Sequence, residues 1–220
     1  MAAQAPELTG ALPSLRSRIF LLSPADCSGK RARLLQSPDA DHELARRLRG
    51  REGAELGEVF SFVSSLYFRG KLAYARAFAR PPRGLAGAHV ITPCDGLKAP
   101  ESLVRRADLR RYAGVDVDPD EERYRRPLLR DLGALAARGA DADVVLLGSI
   151  ASRKYTDLLT AVLGARVLFP ADFVGRGDMS RGGLMLRCAG EGRELRYVPL
   201  LGAERRGSRP ARLPPLRRAP

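Results

Sequence analysis

DVVLLGS, Asp143 to Ser149, constrains the fold of this chain more than any other stretch. It is an uninterrupted apolar run of strand length closed by Gly-Ser. A strand with one wet face alternates apolar and polar residues, and this one does not, so both faces are covered. That is the habit of a parallel strand inside an α/β sheet. RIFLLSPA (Arg18 to Ala25), AHVITP (Ala88 to Pro93) and ARVLFP (Ala165 to Pro170) have the same character. Between these runs lie helical stripes: Leu128, Leu129, Leu132 and Leu135, then Leu158, Leu159, Val162 and Leu163, capped by Gly164. Strands alternating with helices predict an α/β fold with a mixed, partly parallel sheet and flanking helices.

Two further features modify that plan. Residues 37–80 read as a helical subdomain. Ser37-Pro38-Asp39 suits a helix start and Gly50 a helix end. Phe60, Val63, Leu66 and Tyr67, then Leu72, Ala75, Phe78 and Ala79, form two apolar stripes. Phe68-Arg69-Gly70-Lys71 between them is either continuous helix surface or the turn of a helix-hairpin-helix, in which backbone amides hold a nucleic-acid phosphate. At the other end, GGLMLRCAG and RELRYVPL, separated by Glu191-Gly192, are expected to form a C-terminal β-hairpin. The domain plan is a flexible Ala/Pro-rich leader (1–16), one α/β domain (17–202) and a basic tail (203–220). The tail has six arginines, one acid and little apolar content, the composition of a disordered segment.

Charge and cysteine usage narrow the partners. A net charge of +13 favours polyanions. Only four of the 38 basic residues are lysine, so part of the excess reflects an arginine-rich coding bias. Cys27, Cys94 and Cys188 are sparse and odd in number, which fits a reducing cytoplasm and not a disulfide framework. No apolar run reaches membrane-spanning length and no His/Cys pair has zinc-ligand spacing, so neither a membrane nor a metal is expected. No cofactor is implied either.

Chemistry-bearing residues cluster after the strands. Ser23, Lys30, Cys94, Asp95, Ser149, Ser152 and Tyr155 all follow predicted strands, whose C-terminal ends converge on one crevice in a parallel sheet. The run from Ser23 to Lys30 lacks the first glycine and the final Ser/Thr of a phosphate-binding P-loop. FVGRGDMSRGGLML (Phe173 to Leu186) sets Arg176 and Arg181 among four glycines. Arginine forks suit carboxylate or phosphate, so this stretch is either an anion-binding loop or a solvated turn. The candidate anion ligands are Ser23, Lys30, Ser152, Tyr155, Arg176 and Arg181. Candidate proton carriers or charge stabilisers are Lys30, Asp95, Tyr155 and Asp178, and Cys94 is either a nucleophile or a small buried residue. Arg69, Gly70, Lys71 and Arg76 are the candidate nucleic-acid contacts.

Several patterns together resemble the YaaA family of peroxide-stress proteins. Leu21 to Ala25 (LLSPA) is similar to that family's N-terminal ISPAK strand, with Asp26 in place of its lysine. Cys94-Asp95-Gly96-Leu97 and the Tyr112 region resemble its SGLYG segment and downstream tyrosine. Val144 to Tyr155 is similar to VVINLAS-x-EY, with Lys154 in place of the acid. Arg176 to Arg181 repeats the R-G-x-M-S-R spacing, and residues 55–80 fall where the family carries a helix-hairpin-helix. The resemblance implies a compact α/β fold, sequence-nonspecific binding to duplex DNA and protection of DNA in oxidative stress. The alternative is an enzyme acting on a nucleotide, nucleobase or other anionic small molecule at the strand ends.

Overall fold

The computed structural model describes residues 16–205 together with 207, 208, 210, 211 and 213. The expected leader lies outside the described residues except for Arg16. The elements run β1 (Arg18–Leu22), α1 (Lys30–Gln36), α2 (Glu43–Arg49), β2 (Ala54–Glu55), α3 (Leu56–Phe78), β3 (Ala88–Ile91), β4 (Leu97–Lys98) and β5 (Leu103–Val104). They continue with α4 (Arg106–Ala113), α5 (Glu122–Arg138), β6 (Asp143–Leu147), α6 (Arg153–Leu163), β7 (Val167–Pro170), α7 (Asp178–Glu191) and β8 (Tyr197–Pro199).

Six strands make one mixed sheet in the order β4-β3-β1-β6-β7-β8. β3, β1, β6 and β7 are parallel, and β4 and β8 close the edges antiparallel. The four apolar runs of the sequence are these four parallel strands. Residues 19–22 of β1 and 144–147 of β6 are all buried, as continuous apolar strands require. Helix α3 connects β1 to β3 on one side; α5 then carries the chain back past β1 to β6 on the other. Right-handed crossovers therefore put α3 and α5 on opposite faces. α6 packs beside α5, and α7 packs along α3. The order of the strands reverses between β1 and β6, the topological switch point at which open α/β sheets bind ligands.

Of the two readings of Phe68–Lys71, the continuous helix surface holds, and the break in α3 falls instead at Ser65 (φ 49°, ψ −127°). Two local expectations are corrected. Ser37 does not start a helix; it ends α1, and His42 caps α2 by accepting a hydrogen bond at Nδ1 from the Ala45 amide. The C-terminal strand pair is formed by β7 and β8, and the stretch expected as the first arm of a hairpin, Gly182 to Gly190, lies within helix α7.

The reason lies in the contact between α3 and α7. A Cβ on Gly70 would meet the Gly182 carbonyl oxygen at 2.5 Å, and a Cβ on Gly182 would meet that of Leu66 at 2.6 Å. Two glycines thus bring the helix backbones together, offsetting the poor helix propensity of Gly182 and Gly183. Arg181, Leu184, Met185 and Cys188 of α7 are buried at helical spacing. The described part of the tail also lies against this corner: Ser208 backs onto Gly175, and Leu213 packs on the core. No helix among the described residues is long and apolar enough to cross a membrane.

Candidate functional site

A cavity of about 530 Å³ opens at the C-terminal ends of β1 and β6, within the size range of small-molecule pockets. Its floor is Ser23, the residue after β1, facing Ser149 beyond the end of β6. Ser23 sits so close to Gly148 that a Cβ there would come within 3.0 Å of its own Cβ. α3 lines it through Ser64 and Tyr67, and the end of α4 lines it through Tyr112. Tyr155 of α6 and Asp178, the first residue of α7, complete the rim with Asp26, Asp116 and Lys154.

Ser65, where α3 is interrupted, lies between Ser64 and Tyr67, both of which line this space. A non-glycine residue at such φ and ψ costs about 1–3 kcal/mol, and strain of that kind collects at functional sites. Tyr67 is buried and its hydroxyl makes no hydrogen bond with the described residues. Burial pushes its pKa well above the usual phenol range, and the neighbouring Arg181 guanidinium only partly offsets this. Tyr155 is held to about 12, by burial first and then by the Asp178 carboxylate. Both phenols are therefore neutral hydrogen-bonding groups at pH 7. Asp26 is held below the usual carboxylate range by the Ser28 hydroxyl, which donates to Oδ1 at 2.6 Å, and by the Ser28 and Gly29 amides. The rim is thus more anionic than cationic.

Behind Ser23 stands Lys71. It is fully buried, and its Nζ donates to the Ser23 carbonyl oxygen at 2.7 Å and to Ser23 Oγ at 2.9 Å. It lies 4.3 Å from the centre of the Tyr67 ring and 4.8 Å from that of Phe68. Burial pushes its pKa down to about 7, against the opposing pull of the Asp178 carboxylate.

The expected site residues divide into those brought together and those kept apart. Ser23, Ser149, Tyr155 and Asp178 line the cavity. Lys30 is the exposed first residue of α1 and lines a separate, smaller hollow beside Asp26. Ser152 is exposed at the start of α6 and takes no part in the cavity lining. Asp95 is locked by both Arg111 terminal nitrogens and by the Tyr112 hydroxyl, at 2.8–2.9 Å. Burial works against its charge, yet these bonds keep it below the usual carboxylate range. It braces the Tyr112 wall. Cys94 beside it is half-buried with its pKa raised by burial, in a different groove.

The arginine pair does not close over an anion. Arg176 Nε donates to the Asp172 carbonyl and Arg181 Nε to that of Phe173. Arg181 Nη1 also donates to Asp178 at 3.3 Å, so the R-G-x-M-S-R stretch holds an aspartate at the cavity through a buried arginine. Among the four expected nucleic-acid contacts, Lys71 is wholly buried and Gly70 is pressed against α7; neither can reach a duplex. Arg69 is exposed and Arg76 pairs with Glu101.

Sequence reasoning missed Tyr67, Ser64 and the burial of Lys71. One signal was present: Tyr67, Lys71, Tyr74 and Phe78 lie at helical spacing, so the lysine belongs to the apolar stripe. No protein-family model, curated protein or solved structure matches the chain.

Proposed function

We propose that the chain is an enzyme that takes a nucleobase or nucleoside into the cavity at the ends of β1 and β6. The observation that carries this is the lining itself. Three neutral tyrosines, Tyr67, Tyr112 and Tyr155, stand around a floor of serine hydroxyls, with Asp26, Asp116 and Asp178 at the rim. Tyrosine faces suit a planar ring and the hydroxyls and carboxylates suit its polar edges. The acidic rim disfavours a phosphate, so neutral bases and nucleosides fit better than nucleotides.

The test is a thermal-shift panel of purine and pyrimidine bases, nucleosides and nucleotides. A base or nucleoside should raise the midpoint in wild type and not in Asp178→Asn or Tyr155→Phe. If no base or nucleoside shifts wild type at millimolar concentration, the reading fails.

A second reading, contact with a polyanion such as duplex DNA, is favoured by two adjoining arginine-lined grooves. One holds Arg110, Arg111, Arg123 and Arg126, the other Arg49, Arg105, Arg106 and Arg110. The first meets the cavity at Val115. This reading and the resemblance to YaaA proteins support each other, with the contact on α4 and α5 in place of residues 69–71. Mobility shifts with duplex DNA at rising salt test it. Arg106→Ala with Arg110→Ala should weaken binding and flatten its salt dependence; no binding by wild type at low salt would refute it.

A further inference from the structure

Ser23 and Lys71 have an arrangement that a structural role for Lys71 does not require. A lysine whose only task is to cap the end of β1 needs the Ser23 carbonyl. This one also reaches Ser23 Oγ at 2.9 Å, although Lys71 itself does not line the cavity. Nucleophile and base within hydrogen-bond reach, the base itself oriented by a third group, is the pattern of an activated serine. The third group here is the Ser23 carbonyl, assisted by the Tyr67 and Phe68 ring faces. Buried lysines are usually neutralised by a carboxylate. The charged and titratable groups around Lys71 are Tyr67 on its own helix and Asp178 and Arg181 on α7, and the Asp178 carboxylate is tied to Arg181.

We propose that Ser23 is a nucleophile and Lys71 its general base, acting on a carbonyl carbon, ester or amide, of the molecule bound in the cavity. This rests on the cavity being a ligand site. Ser23 Oγ forms a bond to the carbonyl carbon as its proton passes to the neutral Nζ. The bond to the leaving group then breaks, and that group departs with the proton from Nζ. Water attacks the resulting acyl-serine, gives a proton to Nζ and releases the carboxylic acid; the proton returns to Ser23 Oγ. No oxidant, reductant or metal enters the balance. The acidic rim selects a carbonyl electrophile over a phosphoryl one, because a phosphate dianion would meet Asp26, Asp116 and Asp178.

The test uses p-nitrophenyl acetate as acyl donor, with peptide mapping of the acetyl group by mass spectrometry. Wild type should carry acetyl on Ser23, and Ser23→Ala should not. Lys71→Met should acetylate at least ~100-fold more slowly, the lower end of what a general base supplies. In wild type the rate should rise about tenfold per pH unit up to Lys71's pKa of about 7 and then level off. The profile serves as the control should Lys71→Met fold poorly. No acetyl on Ser23, acetyl on Lys71 instead, or an unchanged rate in folded Lys71→Met overturns the proposal. Acetylation of Ser23 with no nucleoside binding would leave the dyad and remove the nucleoside; nucleoside binding without acetylation would do the reverse.

Discussion

Replacing Lys71 with methionine tests the electrostatics beneath the cavity in a way that needs no ligand. In the unfolded chain this lysine titrates at its ordinary value of 10.5; burial brings it down to about 7 in the fold. The unfolded state therefore holds more protons between those values, and stability rises with pH across that window. Each pKa unit corresponds to about 1.36 kcal/mol, so charging Lys71 in the fold costs about 5 kcal/mol at the limit. Cysteines and tyrosines begin to titrate above pH 8.5, and the usable interval is pH 7 to 8.5. There wild type should gain about 2 kcal/mol relative to Lys71→Met. Loss of the hydrogen bonds to Ser23 lowers the variant by an amount that does not change with pH, so the slope isolates the titration. Urea denaturation at four pH values in that interval measures it. Parallel curves for wild type and Lys71→Met would show that Lys71 does not titrate near neutrality and would remove it as a base.

Other consequences follow from the same geometry. Ser65→Gly should stabilise the protein by about 1 kcal/mol in chemical denaturation, because glycine adopts φ 49° without strain; a loss of stability would contradict the kink. Gly182→Ala should destabilise by at least about 2 kcal/mol, since its Cβ would meet backbone atoms of α3 and not a side chain that can move. A neutral midpoint would place the helices further apart than described. In native protein at pH 8, a thiol reagent should modify Cys94 first. Cys27, 3% exposed and with burial raising its thiol to about 12, should react only on unfolding, which quantitative thiol titration separates.

The parallel strands were legible because their physics is local: a strand covered on both faces must be a short continuous apolar run, and β1, β3, β6 and β7 are. Ser23 and Ser149 were legible for the same reason, as the residues at which those runs stop. Helix α7 was not. Gly182 and Gly183 beside Leu184, Met185 and Leu186 look like a turn and a strand when read alone. Only the close approach of α3 at Gly70 explains why glycine belongs in that helix. Lys71 was misplaced by the ordinary expectation that a lysine beside Arg69 and Gly70 faces water, although its register with Tyr67 and Tyr74 pointed inward. Arg176 and Arg181 were read as free forks, but their donors are taken up by carbonyls of the Asp172–Phe173 turn, which no spacing within R-G-x-M-S-R reveals.

The central claim is that the tyrosine-walled cavity holds a neutral base or nucleoside and rejects its phosphorylated form. Titration calorimetry of one nucleoside and its 5′-monophosphate into wild type and Asp178→Asn tests it most directly. Saturable binding of the nucleoside by wild type is expected, weaker in Asp178→Asn, with the monophosphate binding less tightly than the nucleoside. Tighter binding of the monophosphate, or nucleoside affinity unchanged by Asp178→Asn, would contradict it.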